Sequence, residues 1–353
     1  MSLPQPRSGI LEITPYKAAA AGRAHPVRLN ANENPLGCSP RAREAYVAAQ
    51  DGIHRYPDGG ATALRNAIAA LHGMDAGRIV CGAGADELIA LIIRAYAGAG
   101  DEVVHSAHGF IMYRLAAQAA GAAPVSAPEK DMRGDVETLL AAVSPRTKIM
   151  FVANPNNPTG SLLSADELKY LREKLPEHVL LVVDAAYAEY VAESDYGDGR
   201  ALADATPNTV MLRTFSKVYG LAGLRIGWGY FPQAVADVIN RVRGAFNTGV
   251  AAQMAGIAAL ADQDFVKKSR LFNHAERAAL AEGLQKAGLK VYPSAANFLL
   301  ADCGARAETI RDGLAARNIL VMHAAGYGLP QCLRVSVGLP EENARLLAAL
   351  KEI

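Results

Sequence analysis

Cysteine and tryptophan are scarce in this chain. Its 353 residues include four cysteines and one tryptophan, and aromatic residues make up 6%. Cys38, Cys81, Cys303 and Cys332 lie far apart and form no C-x-x-C pair, which argues against a zinc ribbon or a disulfide scaffold. They read as reduced, mostly buried residues of a cytoplasmic protein. Neither charge sign is in excess: 36 basic and 35 acidic residues leave a net +1. No field therefore draws the chain to nucleic acid or to an anionic membrane. No apolar run approaches the ~20 residues of a membrane span, and the opening "MSLPQPRSGILEITPY" lacks a signal-peptide core. Neither G-x-S-x-G nor G-x-x-x-x-G-K-[ST] occurs, which sets aside nucleophile-elbow hydrolases and P-loop NTPases. His105 and His108 have a metal-like spacing, but without a nearby cysteine or acid ligand no metal site is expected.

What is present is an apolar fraction of 51% and a charged fraction of 20%, ordinary for a soluble globular protein. The length asks for two domains. From about Asn34 to Phe231, short apolar runs alternate with Ala/Leu-rich helical stretches. The runs are "RIVCG", "EVVHS", "KIMFVANP", "VLLVVD", "TVMLRT" and "RIGWGY". They are continuous rather than alternating, so they predict strands buried on both faces, in a mainly parallel sheet covered by helices. After about Asn240 the texture changes to long helices and short mixed strands. The expected layout is an N-terminal arm (1–30) packing with the small domain, a large α/β domain (31–240) and a smaller α+β domain (241–353).

In such sheets ligands bind beyond the carboxyl ends of the strands, and four polar clusters follow strands directly. "CGAGADELI" sets Gly82, Gly84, Ala85 and Asp86 at a strand-to-helix turn, where backbone N–H groups can face an anion. Taken alone, a tight turn with Asp86 starting the helix is the favoured explanation, and Glu87 breaks a G-x-G-x-x-G pattern. "ANPNNPTG" offers amide donors in a proline-stiffened frame, or a well-formed turn. "VLLVVDAAY" ends a buried strand with Asp184. A carboxylate there caps a helix or pairs with a cation, and Tyr187 follows one turn later. "RTFSKVYGLAGLR" sets Lys217 beside Thr214 and Ser216, with Arg225 eight residues on. A partly desolvated amine forms Schiff bases, and hydroxyls with a guanidinium suit a phosphate. An aldehyde to trap, a phosphate to hold and a cationic ring nitrogen to pair with Asp184 are together the features of pyridoxal 5′-phosphate (PLP).

With these motifs in order, the chain resembles the fold-type I PLP aminotransferases, and within them the histidinol-phosphate subgroup. The likeness extends over "ITPYKA", "LNANENPLG", "RYPDGGATALRNAIA", "GAGADELI", "NPNNPTG", "DAAYAEY", "RTFSKVYGLAGLRIGW" and "YGLPQCLRVSVG". The resemblance implies that Lys217 forms the internal aldimine and shuttles the proton. Asp184 pairs with the pyridinium nitrogen, Tyr187 and Asn157 reach the ring hydroxyl, and Phe110 stacks on the ring. The phosphate falls to Gly84, Ala85, Asp86, Thr214, Ser216 and Arg225, and to Tyr56 of a partner subunit in a homodimer. Arg334, Tyr16, Asn32, Tyr56 and Asn157 are implied near the substrate. The implied reaction is ping-pong transamination between an amine donor and a 2-oxo acid, with glutamate and 2-oxoglutarate as the second pair.

Two positions depart from the family pattern. Met322, in "NILVMHAAGYGLP", stands where the family usually carries a phosphate-binding arginine, and His323 beside it is a possible substitute. Ala185 replaces an acidic residue not expected to touch the cofactor. Met322 leaves open an aromatic or specialised amine as substrate. A PLP-dependent decarboxylase of a phosphorylated amino acid shares the architecture.

Overall fold

The computed structural model describes residues 6, 7, 9–13 and 26–353. The strands, in chain order, begin with β1 (Val27–Leu29), β2 (Ile79–Gly82), β3 (Glu102–Ser106) and β4 (Ala123–Ala127). A small hairpin follows, β5 (Glu129–Lys130) and β6 (Arg133–Gly134). Next come β7 (Thr147–Ala153), β8 (Leu180–Asp184), β9 (Thr209–Thr214) and β10 (Gly227–Tyr230). The chain closes with β11 (Lys290–Val291), β12 (Phe298–Asp302), β13 (Ile319–His323) and β14 (Cys332–Ser336).

The large sheet has the order β2-β10-β9-β8-β7-β3-β4. Its pairings from β9 through β8, β7 and β3 to β4 are parallel. Every residue of β8 and β9 is buried, because helices cover both faces. On one face Leu88, Ile89, Ile92, Tyr113 and Ile239 pack from helices onto Phe151, Val182 and Leu212. On the other, Leu168 and Leu171 pack onto Met150, Val152 and Leu181. Burial on two sides removes the polar alternation that a solvated face would impose. The helix Ala165–Lys174 starts where Ser164 and Glu167 form a reciprocal capping box, which satisfies two of its free N–H groups.

Three features differ from the expected layout. β10 runs antiparallel to both β9 and β2. An apolar run carries no direction, so its sequence could not signal this. The large-domain core also continues past residue 240: Ala252, Ala255, Ala259 and Leu260 join Leu64 and Phe215 in one cluster. The helix Val250–Ala261 that carries them therefore belongs with the large domain. Finally, the described residues of the arm contact both domains. β1 extends the small sheet, β1-β13-β14-β12-β11, parallel to β13. Upstream, the Arg7 guanidinium donates to the Ala119 carbonyl of the large domain. Tyr16 lies outside the described residues.

Candidate active site

The topology gathers the polar clusters along one edge. β3, β7, β8 and β9 all end there, and so does β2, whose direction matches β9 across β10. Because β10 is reversed, its beginning lies at this edge, with Gly227 opposite both Thr214 and Gly82. That is why Arg225, which precedes a strand, meets Ser216, which follows one.

Asp184 stands at the end of β8 and is 5% exposed. Its Oδ2 accepts from the Tyr113 hydroxyl at 2.7 Å and its Oδ1 from the Ala186 N–H at 3.2 Å. Burial pushes its carboxyl up to about 6, against the pull of the Tyr113 hydrogen bond. The carboxylate is thus placed, desolvated and short of a cation. Lys217 follows β9. Burial, and then the Arg334 charge, push its amine down to about 8. Its Nζ lies 5.4 Å from the centroid of the Tyr187 ring, and it has no hydrogen-bond or salt-bridge partner among the described residues. Tyr187 is buried, and its hydroxyl is pushed up to about 12, chiefly by burial.

At the far side of the cluster, Arg225 Nη2 lies 3.1 Å from Asp86 Oδ2, and its Nη1 donates to Ser216 Oγ at 3.4 Å. Thr214 Oγ1 accepts from the Ser216 N–H at 3.1 Å. The helix Ala85–Tyr96 begins here with no side-chain cap on its first N–H groups, so its N-terminus stays available to an anion. Gly84 has φ 87°, and a Cβ there would come within 2.5 Å of Arg225 Nη2. Small residues, open N–H groups, hydroxyls and a half-exposed guanidinium make a cradle of the right chemistry for phosphate.

Facing this from the small domain is Arg334 on β14, 6% exposed. Its Nη1 donates to Asn157 Oδ1 at 2.5 Å and its Nη2 to the Asn30 carbonyl at 2.7 Å. Met322 is in register with Arg334 across β13 and β14, so the two side chains share a face. His323 pairs with Leu333 instead and points the other way. Its ring meets Arg311 Nη1 at 3.2 Å and the Pro330 carbonyl at 2.7 Å. The idea that His323 replaces the missing arginine is therefore corrected: strand alternation turns it off the Arg334 face. Asn32, expected near the substrate, gives its Nδ2 to the Tyr187 hydroxyl at 2.9 Å. Phe110 precedes the helix Ile111–Ala120 and meets Tyr113 edge-on, with ring centroids 5.8 Å apart. Tyr56 is 82% exposed and stacks on Phe246, ring centroids 4.5 Å apart.

Sequence reasoning missed two groups that shape the site. Tyr113 holds Asp184, yet it sits on the apolar face of a helix, where an aromatic residue reads as core. Arg213 is buried beside Thr214, with Nη1 2.9 Å from Glu189 Oε1 and Nη2 2.5 Å from Asp198 Oδ2. It ties the end of β9 to the segment after Tyr187. A basic residue inside the apolar run "TVMLRT" was the available signal.

A lone amine and a lone carboxylate on adjacent strand ends, beside an anion cradle, define a site for amino-group transfer. Residues 24–350 match the family Aminotransferase class I and II, and the chain belongs to it: it is a transaminase with the fold-type I architecture. A curated relative from Rhodospirillum centenum, histidinol-phosphate aminotransferase, is 53% identical over 99% of this chain and 98% of its own. A second of the same name, from Paramagnetospirillum magneticum, is 50% identical over 100% and 99%. Among solved structures, histidinol-phosphate aminotransferase from Sinorhizobium meliloti in complex with pyridoxal-5′-phosphate superposes with a TM-score of 0.93. It is 33% identical, and the match covers 99% of this chain and 98% of that one.

Proposed function

We propose that this chain is a PLP-dependent aminotransferase that takes L-histidinol phosphate as amine donor and 2-oxoglutarate as acceptor. The observation that carries the reading is the pairing of Lys217 and Asp184 at neighbouring strand ends, in a chain whose relatives match it over essentially their full length. When bound, PLP supplies an aldehyde carbon and a cationic ring able to take up the electron pair released at the substrate α-carbon. Asp184 keeps the ring nitrogen protonated, and Tyr113 keeps Asp184 in place. Thr214, Ser216, Arg225 and the N–H groups at the start of Ala85–Tyr96 hold the phosphate, with Gly84 and Asp86 shaping the cradle. Phe110 covers one face of the ring. Lys217, as an amine depressed to about 8, is basic enough to take the α-proton and neutral often enough to act as nucleophile near physiological pH. Tyr187 and Asn157 donate toward the ring oxygen, and Arg334 holds the anionic end of the donor or acceptor.

The same reading includes a homodimer. Ile53 and Tyr56 are 72% and 82% exposed, and Tyr56 stacks on Phe246, itself 48% exposed. Such aromatic and aliphatic exposure suits burial against a second copy, from which Tyr56 reaches the neighbouring cradle. The four unpaired cysteines suit a reducing, cytoplasmic setting.

Met322 on the Arg334 face favours a second reading, an aromatic amine donor held through Arg334 alone. Steady-state assays with 2-oxoglutarate decide between them. Turnover of L-histidinol phosphate well above that of phenylalanine and tyrosine is expected. Good turnover of phenylalanine with none of histidinol phosphate would overturn the first reading.

A further inference from the structure

Asn32 has a geometry that asks for a role other than substrate contact. It is 1% exposed, and its backbone is left-handed at φ 55°, which asparagine tolerates better than most residues. Its N–H donates to Ser336 Oγ at 2.8 Å. Ser336 Oγ donates to Asn32 Oδ1 at 3.0 Å. The Asn32 carbonyl accepts from Asn297 Nδ2 at 3.0 Å. Its Nδ2 donates to the Tyr187 hydroxyl oxygen at 2.9 Å.

These bonds fix a direction. A serine hydroxyl has one proton. Ser336 Oγ accepts the Asn32 N–H and gives its own proton to Asn32 Oδ1. The amide can then present only its NH₂ side to Tyr187, and an amide NH₂ only donates. The phenol oxygen must accept, so the phenol's own proton points elsewhere. Reversing the amide would set Oδ1 against Tyr187 and Nδ2 against Ser336 Oγ, and the serine proton would lose Asn32 Oδ1 as its acceptor. One backbone conformation at residue 32 and one serine on β14 therefore decide which way a proton points just beyond the end of β8.

We infer that Asn32, locked by Ser336, is a positioning residue that keeps Tyr187 a hydrogen-bond donor toward the ring oxygen of PLP. This rests on the PLP reading above. It assigns Asn32 to the cofactor side and frees the substrate pocket of it. It also gives Ser336 and Asn297, on the small-domain sheet and the loop before β12, a part in tuning a group of the large domain. A donor on the ring oxygen stabilises negative charge there. Losing the donor leaves that oxygen more basic, so the bound group keeps its proton to higher pH.

The test is the pH midpoint of the visible absorption band of bound PLP in the holoenzyme, read beside KM and Tm. Asn32→Asp preserves shape and left-handed backbone, but a carboxylate accepts and turns the Tyr187 proton toward itself. The midpoint should rise by about one unit, the scale of one hydrogen bond to a charged group. Ser336→Ala, which frees the amide to turn, should raise it by less. Tyr187→Phe should raise it as far as Asn32→Asp does, and adding Asn32→Asp to Tyr187→Phe should then change nothing. An unshifted midpoint in Asn32→Asp overturns the inference, whether Tm falls (a structural role) or KM alone rises (a substrate contact). So does an equal further shift in the Tyr187→Phe background. A wild-type protein with no PLP band would instead remove the proposed function, and this inference with it.

Discussion

The Tyr113 hydroxyl donates to Asp184 Oδ2 at 2.7 Å from a fully buried ring stacked on Phe151, centroids 4.5 Å apart. Tyr113 sits three residues after Phe110, so one short segment supplies both the ring expected over the cofactor and the support for its acidic partner. The hydrogen bond favours the charged carboxylate over the neutral acid. Tyr113→Phe keeps the stacking and removes that bond, which is charge-assisted and worth roughly 1.5 kcal/mol. PLP affinity and kcat should each fall by about tenfold, measured by titration of the apoenzyme and by steady-state kinetics. An unchanged PLP affinity would show that Asp184 needs no such support.

Asp184 has a stability signature in the apoenzyme. Its carboxyl is held up at about 6, against 3.8 ordinarily. Between those values the unfolded chain has lost the proton while the folded one retains it, so stability falls as pH rises. The loss is complete above about 6, at roughly 3 kcal/mol. Asp184→Asn removes this loss, so relative to wild type the apo variant should gain stability between pH 4 and pH 7 while losing turnover. Urea denaturation of both apoproteins at pH 4, 5 and 7 checks the slope. Parallel curves for the two proteins would contradict it.

Lys217 should show its depressed acidity in how the apoenzyme captures PLP. Only the neutral amine attacks an aldehyde. With the amine at about 8, the capture rate should climb about tenfold per pH unit up to pH 8 and then level off. Stopped-flow absorbance follows it directly. A rate still climbing steeply at pH 10 would mean an amine near its ordinary value. Lys217→Ala should abolish both the borohydride-reducible link and turnover.

Much of this site is legible in the sequence because its residues break a local pattern. Asp184 and Lys217 stand where buried strands give way to turns, and Gly84 and Arg225 crowd a turn. What could not be read lay in residues that fit their local pattern. Tyr113 continues an apolar helix face, so its hydroxyl gives no signal. The reversal of β10 leaves no trace in "RIGWGY". The Ala-rich helix Val250–Ala261 is apolar enough to suit either domain, and contact with Leu64 and Phe215 decides the matter. His323 was misplaced by one residue of strand alternation, which depends on register rather than composition.

Gly220 sets the path of the loop between Lys217 and Arg225. It has φ 68°, and a Cβ there would collide with the Gly37 carbonyl oxygen, a backbone atom without room to move. Gly220→Ala combines left-handed strain with that clash and should cost more than about 3 kcal/mol. Gly223, in the same loop, has nothing within 4 Å of an added Cβ, so Gly223→Ala should be close to neutral. Thermal melts of the two variants make the comparison, and equal melting temperatures would refute it.

Met322 is where the choice of amine can be tested. It is in register with Arg334, and cross-strand neighbours on one face lie roughly 5 Å apart. Met322→Arg would set two guanidinium groups side by side. Without an anion they repel, so the free variant should melt below wild type. A phosphate lying between them would gain a second charge-assisted contact, worth about 1.5–3 kcal/mol. If histidinol phosphate is the donor and its phosphate lies on this face, KM for it should fall by at least about tenfold while KM for phenylalanine stays or rises. Inorganic phosphate should also restore the melting temperature of the variant more than that of wild type. No change for either donor would place the phosphate-binding end of the pocket away from residue 322. In that case Arg334 would be left to grip a carboxylate, and the case for an aromatic amine would strengthen.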